Sequence, residues 1–299
     1  MRHIVGAEQF TRMTLDELMK SARSFEKGKR NIIKDKILAT LFYEPSTRTR
    51  LSFESAFIRL GGSVISTENA KEFSSAAKGE TVEDTMRVIN SYADVAVIRH
   101  CDAGMVARAA AVASIPVINA GDGPGQHPTQ ALLDLYTIYR ELGRLDNLKL
   151  TLVGDLKHGR TVRSLCYVLG NYTNISLVFV SPPELSMNDD IKAHLSQQGI
   201  AFNETTSLEE GIKDADVVYM TRIQKERFRT EEEYQALKGR YVLTRTLADS
   251  MKNKAIIMHP LPRVDEIQVE VDDSPKAVYF KQAAYGVYMR MAILKYVLE

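Results

Sequence analysis

With 39 basic residues against 38 acidic ones, this 299-residue chain has a formal charge of only +1, which argues against a surface devoted to nucleic acid or acidic membrane. Its 44% hydrophobic content suffices for two packed cores, and the length favours about two domains. The N-terminal stretch lacks a secretory h-region, no apolar run approaches the ~20 residues that span a bilayer, and Cys101 and Cys166 form neither CxxC nor zinc spacing, so a soluble, cytoplasmic protein without a metal site is expected.

Short apolar runs at 37–42, 63–66, 94–98, 115–119, 148–153, 175–180, 216–220 and 255–258 alternate with helical patterns. That alternation predicts an α/β protein of two doubly wound parallel-sheet domains. The first run leads into Ser46-Thr47-Arg48-Thr49-Arg50, and Phe53, Ala56, Phe57 and Leu60 then follow at helical spacing. Three hydroxyls and two guanidiniums thus gather at a helix N-terminus, where unpartnered amides and the macrodipole favour an oxyanion. The segment Glu68 to Glu80 is polar and without clear period, and reads as a mobile loop ending at a capping box, Thr81 with Asp84. It carries Ser74 and Lys78.

Arg99-His100 follow the third run, and a glycine-rich loop with His127-Pro128-Thr129-Gln130 follows the fourth. Pro128 suits a first helical position, so His127 lies at the helix start and Gln130 projects to the same side. The polar stretch 143–147 marks a boundary between domains 1–145 and 146–281, with the last helix, 282–299, returning to the first. In the second half the run 148–153 leads to Gly154 through Thr161, with Arg160 at a helix start, 216–220 leads to Thr221-Arg222-Ile223-Gln224, and 255–258 to His259-Pro260-Leu261-Pro262-Arg263. Two prolines stiffen that last loop and expose its carbonyls, and a cis bond before Pro262 is compatible with it. Ligands of open α/β sheets sit outside the carboxyl ends of the strands, where all these residues fall. A dinucleotide fingerprint at Gly121-Asp122-Gly123-Pro124-Gly125 fails at its sixth position, Gln126. A non-catalytic anion binder would need the first grip but not the second set of cations.

These motifs, together with Ala131-Leu132-Leu133-Asp134 and Val264-Asp265-Glu266, resemble the aspartate/ornithine transcarbamoylase family almost end to end. The first motif is common to both branches. Leu261-Pro262-Arg263 and Arg222-x-Gln224 are similar to the aspartate branch, whereas an ornithine carbamoyltransferase, the alternative, typically carries His-Cys-Leu-Pro and Ser-Met-Gly loops. The resemblance implies transfer of the carbamoyl group of carbamoyl phosphate to L-aspartate, an early step of pyrimidine biosynthesis, with no cofactor and no metal. By matching position it implies that Ser46, Thr47, Arg48 and Thr49 hold the phosphate and that Arg99 bridges phosphate and carbonyl. His127 and Thr49 would polarise the carbonyl oxygen, and Gln130 would bind the carbamoyl amide. Arg160 would take the α-carboxylate of aspartate, Arg222 and Gln224 the β-carboxylate, and the Leu261 and Pro262 carbonyls the amine. It further implies a homotrimer in which Ser74 and Lys78 enter the neighbouring subunit's site, with regulatory chains as compatible partners.

Overall fold

The computed structural model describes residues 1–73 and 75–299. Packing divides them into two compact units, Met1–Tyr136 with Ala284–Glu299, and Thr137–Ala283. In chain order the first contains α1 (Arg12–Glu26), β1 (Ile37–Phe42), α2 (Thr47–Leu60), β2 (Ser63–Glu68), α3 (Ala70–Phe73), α4 (Val82–Ile89), β3 (Val95–His100), α5 (Met105–Ala111), β4 (Val117–Asp122) and the start of α6 (Pro128–Leu142). The second contains β5 (Leu148–Val153), α7 (Arg160–Leu169), β6 (Ile175–Val180), α8 (Asp189–Gln197), β7 (Ala201–Thr205), α9 (Leu208–Ile212), β8 (Val217–Met220), α10 (Glu231–Leu237), α11 (Arg245–Ser250) and β9 (Ile256–Met258). The last helix, α12 (Tyr279–Leu298), begins in the second unit and ends in the first. None of the described helices is long and apolar enough to cross a membrane.

The sheet of the first unit has the order β2-β1-β3-β4 and that of the second β7-β6-β5-β8-β9, with every pairing parallel. Central strands such as Ile37-Leu38-Ala39-Thr40-Leu41-Phe42 are buried almost throughout, as expected where both sheet faces are covered. Phe53, Ala56, Phe57 and Leu60 of α2 are wholly buried, so the apolar stripe read from their spacing is the packing face. Within the first unit, the Tyr285 ring of α12 meets Tyr136 edge-on, and Arg290 lies over Phe53.

Three local readings differ from the sequence expectation. Strand β7 was not among the expected runs, because Ala201-Phe202-Asn203-Glu204-Thr205 is an edge strand that leaves most of its side chains in water. Among the described residues of 68–80 there is more regular structure than expected: β2 runs on to Glu68, Asn69 turns at φ +57°, α3 spans Ala70–Phe73 and a 3-10 turn spans Ser75–Lys78. Single-turn helices are too short to display a period, which is why the sequence looks patternless there. Finally, α12 starts at Tyr279 rather than 282. Thr81 does cap α4, accepting from the Asp84 amide at 3.1 Å.

Candidate active site

Each sheet has one point where successive connections leave in opposite directions, and it lies between β1 and β3 in the first unit and between β5 and β8 in the second. Phe42 pairs with Arg99 and Val153 with Met220, so the loops that follow these strands emerge side by side within each unit.

In the first unit Ser46 precedes α2 with φ −160°, and its side chain makes no capping bond. By contrast, Thr11, Thr81, Thr230 and Thr244 all cap their helices by accepting a first-turn amide. The Ser46 hydroxyl is therefore not spent on capping α2, whose N-terminus is the kind of position that favours an anion. Thr47 and Arg48 are exposed there, and Thr49 is buried. Arg50 has a different role: it pairs with Glu54 at 3.2 Å and Glu68 at 2.7 Å, tying α2 to β2. Arg99, half-buried at the end of β3, has Nη2 3.2 Å from Glu44 Oε1, a neighbour that the spacing of motifs did not single out.

Pro128 opens α6, and His127 before it is buried, with Nδ1 3.3 Å from the Thr129 hydroxyl. Gln130 donates through Nε2 to Asp134 Oδ1 at 2.8 Å. The preceding glycine-rich loop is a packing device. Gly123 holds φ +53°, and a Cβ there would lie 2.2 Å from the Cys101 carbonyl oxygen. Lys78 is exposed at the end of its 3-10 turn, and Ser74 lies outside the described residues. Among the described residues the one compact set of metal-type donors is His100, Cys101 and Asp102, but His100 Nδ1 already accepts the Asp102 amide at 3.0 Å.

In the second unit Gly154, at φ +112°, lets the loops after β5 and β8 touch, since a Cβ there would fall 2.3 Å from the Thr221 carbonyl oxygen. Fully buried Asp155 accepts the His158 amide at 2.9 Å, which shapes the turn that places half-buried Arg160 at the start of α7. Arg222 is gripped by both oxygens of Glu226, one at 3.0 Å. The Glu226 hydrogen bond raises the Arg222 pKa, while Glu226, which burial would push up, is held below its ordinary value by Arg222. Gln224 is half-buried beside them.

The proline loop has its own internal frame. The Leu261-Pro262 bond is cis, and Leu261 holds φ +50°, a conformation that side-chain-bearing residues rarely adopt. Its amide donates to His259 Nδ1 at 2.7 Å, and His259 Nε2 lies 2.6 Å from Glu266 Oε1. Glu266 Oε2 accepts the amides of Val264 and Asp265, each at 3.1 Å. Arg263 points elsewhere, pairing with both oxygens of Asp272.

Burial pushes the His259 imidazole below its ordinary 6.5, and Glu266, which burial would raise, is kept below 4.5 by the hydrogen bond from His259. In both cases the unfolded chain binds the proton first on acidification. Stability is therefore expected to fall as the pH drops through 6.5 and again below 4.5, read as a falling thermal midpoint. A midpoint that stays flat through 6.5 would contradict the burial of the His259 imidazole, and one that stays flat below 4.5 its bond to Glu266. Glu266→Ala, which strands His259 and two amides, is expected to cost about 3 kcal/mol of unfolding free energy.

The family model for the aspartate/ornithine carbamoyltransferase carbamoyl-P binding domain matches residues 2–140, and that for the Asp/Orn binding domain matches residues 146–297. The chain is 51% identical over 304 residues to the aspartate carbamoyltransferase catalytic subunit of Methanocaldococcus jannaschii, covering 100% of this chain and 98% of that one. It is 54% identical to a chloroplastic aspartate carbamoyltransferase of Pisum sativum, with 99% of this chain and 78% of the relative aligned. Among solved structures, aspartate transcarbamoylase of Trypanosoma cruzi in complex with carbamoyl phosphate and aspartate superposes with a TM-score of 0.93 at 41% identity, covering 100% of this chain and 97% of that one. With its phosphate-type grip in the unit matched by the carbamoyl-P domain and its paired cations in the unit matched by the Asp/Orn domain, the chain belongs to the aspartate/ornithine carbamoyltransferase family.

Proposed function

We propose that the chain transfers the carbamoyl group of carbamoyl phosphate to the amine of L-aspartate, giving N-carbamoyl-L-aspartate and phosphate, an early step of pyrimidine biosynthesis. The activity is that of an aspartate carbamoyltransferase, a carbamoyl group transferase. The choice of amine rests on one observation, the Arg222 guanidinium fixed by Glu226 on the loop next to that of Arg160. Two cations suit a dicarboxylate, whereas the second would repel the side-chain ammonium of ornithine. Names of relatives and the ligands of the T. cruzi neighbour support the same choice. An assay offering aspartate and ornithine side by side should yield N-carbamoyl-aspartate; citrulline as the main product would move the chain to the ornithine branch.

In this reading Ser46, Thr47, Arg48 and Thr49 with the first amides of α2 take the phosphate, and Arg99 bridges phosphate and carbonyl. Thr49 and His127 polarise the carbonyl oxygen, and Gln130 meets the acyl amide. Arg160 takes the α-carboxylate, Arg222 and Gln224 the β-carboxylate, and the Leu261 and Pro262 carbonyls the amine. When the Thr129 hydroxyl donates to His127 Nδ1, the ring proton sits on Nε2, so a neutral imidazole can donate to the oxyanion. The departing phosphate then takes the amine proton. Holding two anions in line contributes on the order of 7–11 kcal/mol, and each oxyanion donor ~10²–10³ in rate.

A homotrimer completes the reading, with Ser74 and Lys78 acting on the site of the adjacent subunit. The exposed position of Lys78 supports this, since it leaves the ammonium available to a second chain. Mixing Lys78→Ala chains with Arg48→Ala chains, each inactive alone, should restore activity at the sites built from two intact contributions. Verified mixed trimers with no recovery would rule out sharing.

A further inference from the structure

Helix α6 places Gln130 and Asp134 four residues apart on one face, both buried. Gln130 Nε2 donates to Asp134 Oδ1 at 2.8 Å. An ionised carboxylate can only accept, so this bond decides which end of the carboxamide points which way: nitrogen to Asp134, Oε1 to the opposite side. Among the described residues no donor meets that Oε1. Asp134 is 0% exposed, and a charge so placed needs a counter-charge. Arg290 of α12 provides it: its guanidinium is buried 5.1 Å over the Phe53 ring and interacts electrostatically with Asp134. Burial lowers the Arg290 pKa to about 10 and Asp134 opposes that shift, so the cation persists at neutral pH.

We propose that Asp134, backed by Arg290, is a specificity-positioning residue: it holds Gln130 with its carbonyl oxygen toward the acyl group, selecting an acyl phosphate that ends in N–H donors over one that ends in a methyl group. The inference rests on the carbamoyl-transfer reading, in which Gln130 meets the acyl amide. The carbamoyl –NH₂ donates to Oε1, whereas the methyl of acetyl phosphate leaves that acceptor desolvated and unmatched. A carboxamide turned the other way would set donor against donor for the carbamoyl group and make little difference to acetyl.

The test compares dissociation constants for carbamoyl phosphate and acetyl phosphate, by calorimetry on the full chain. The native chain should favour carbamoyl phosphate by roughly 10–10²-fold. In Asp134→Asn an amide faces an amide and neither orientation is enforced, so the preference should shrink to about threefold or less, through weaker carbamoyl phosphate binding. In the double variant Gln130→Glu/Asp134→Asn the first side chain can only accept and the second donates to it, so the preference should return. Equal losses for both ligands in Asp134→Asn, which is what a purely structural role predicts, would overturn the proposal, as would a preference that stays lost in the double variant. If thermal unfolding shows that Asp134→Asn does not fold, Asp134→Ser is put to the same ratio, and an unchanged ratio again overturns it. Carbamoyl transfer to aspartate by the native chain is measured alongside. Its absence would remove the functional reading itself, whereas transfer with an unchanged ratio removes only the role of Asp134.

Discussion

Replacing Arg222 by alanine is expected to lower kcat/KM for L-aspartate about 10³-fold while leaving carbamoyl phosphate affinity within about twofold of the native value. Arg222 is bound by Glu226 in a two-point contact and is half-buried, so its guanidinium is already oriented before a dicarboxylate arrives. In the proposed reading, truncation removes the anchor for one substrate carboxylate. It also leaves Glu226, held ionised by that same arginine, as an unpaired anion facing the incoming charge. A two-point contact to a carboxylate comprises two charge-assisted hydrogen bonds of about 1.5–3 kcal/mol each, which corresponds to the stated loss. Glu226→Gln should be far milder, about tenfold and mostly in KM, because the cation remains and only its orientation loosens. Steady-state kinetics at saturating carbamoyl phosphate decides the matter: a native KM for aspartate in Arg222→Ala would place the β-carboxylate elsewhere.

Arg99→Ala is expected to lower kcat by ~10²–10³ at saturation with both substrates, and Arg99→Lys should recover little of it. Arg99 lies at the carboxyl end of β3, in register with Phe42 of β1, so its side chain leaves the sheet next to the loop that carries Ser46. The planar fork can touch a phosphate oxygen and the carbonyl oxygen together, which a single ammonium cannot do. The gain belongs to the transition state, since the carbonyl oxygen becomes an oxyanion only there. Lysine restoring most of kcat would show that a point charge suffices and would end the bridging role.

Much of the architecture around the candidate site was legible because its parts are local. The α2 N-terminus follows from an apolar run, a hydroxyl-rich turn and the spacing of Phe53, Ala56, Phe57 and Leu60, all within 24 residues, 37 through 60. Pro128 marks the start of α6, and Arg160 opens α7, for equally local reasons. What escaped was either weakly patterned or remote. Strand β7 is polar because it is an edge, and α3 is one turn long. Glu44, Glu226 and Glu266 look like ordinary surface acids in the sequence, yet each turns out to hold a residue of a candidate loop: Arg99, Arg222 and His259. Arg48 and Arg50 are indistinguishable by composition, and only the position of Glu54 and Glu68 assigns Arg50 to the frame.

The sequence by itself determined the α/β class, the strands and helices other than β7 and α3, and the candidate loops at the strand ends, because apolar periodicity and helix-start preferences act over a few residues. The tertiary structure alone decided that β1 lies beside β3 and β5 beside β8, which sets Phe42 against Arg99 and Val153 against Met220. It also decided that Asp134 turns Gln130 and that Glu266 and His259 frame the proline loop. Those relations depend on strand pairing and on burial, where a charged or polar group must find a partner or lose stability, and the residues that satisfy it are chosen by the packing of the whole unit.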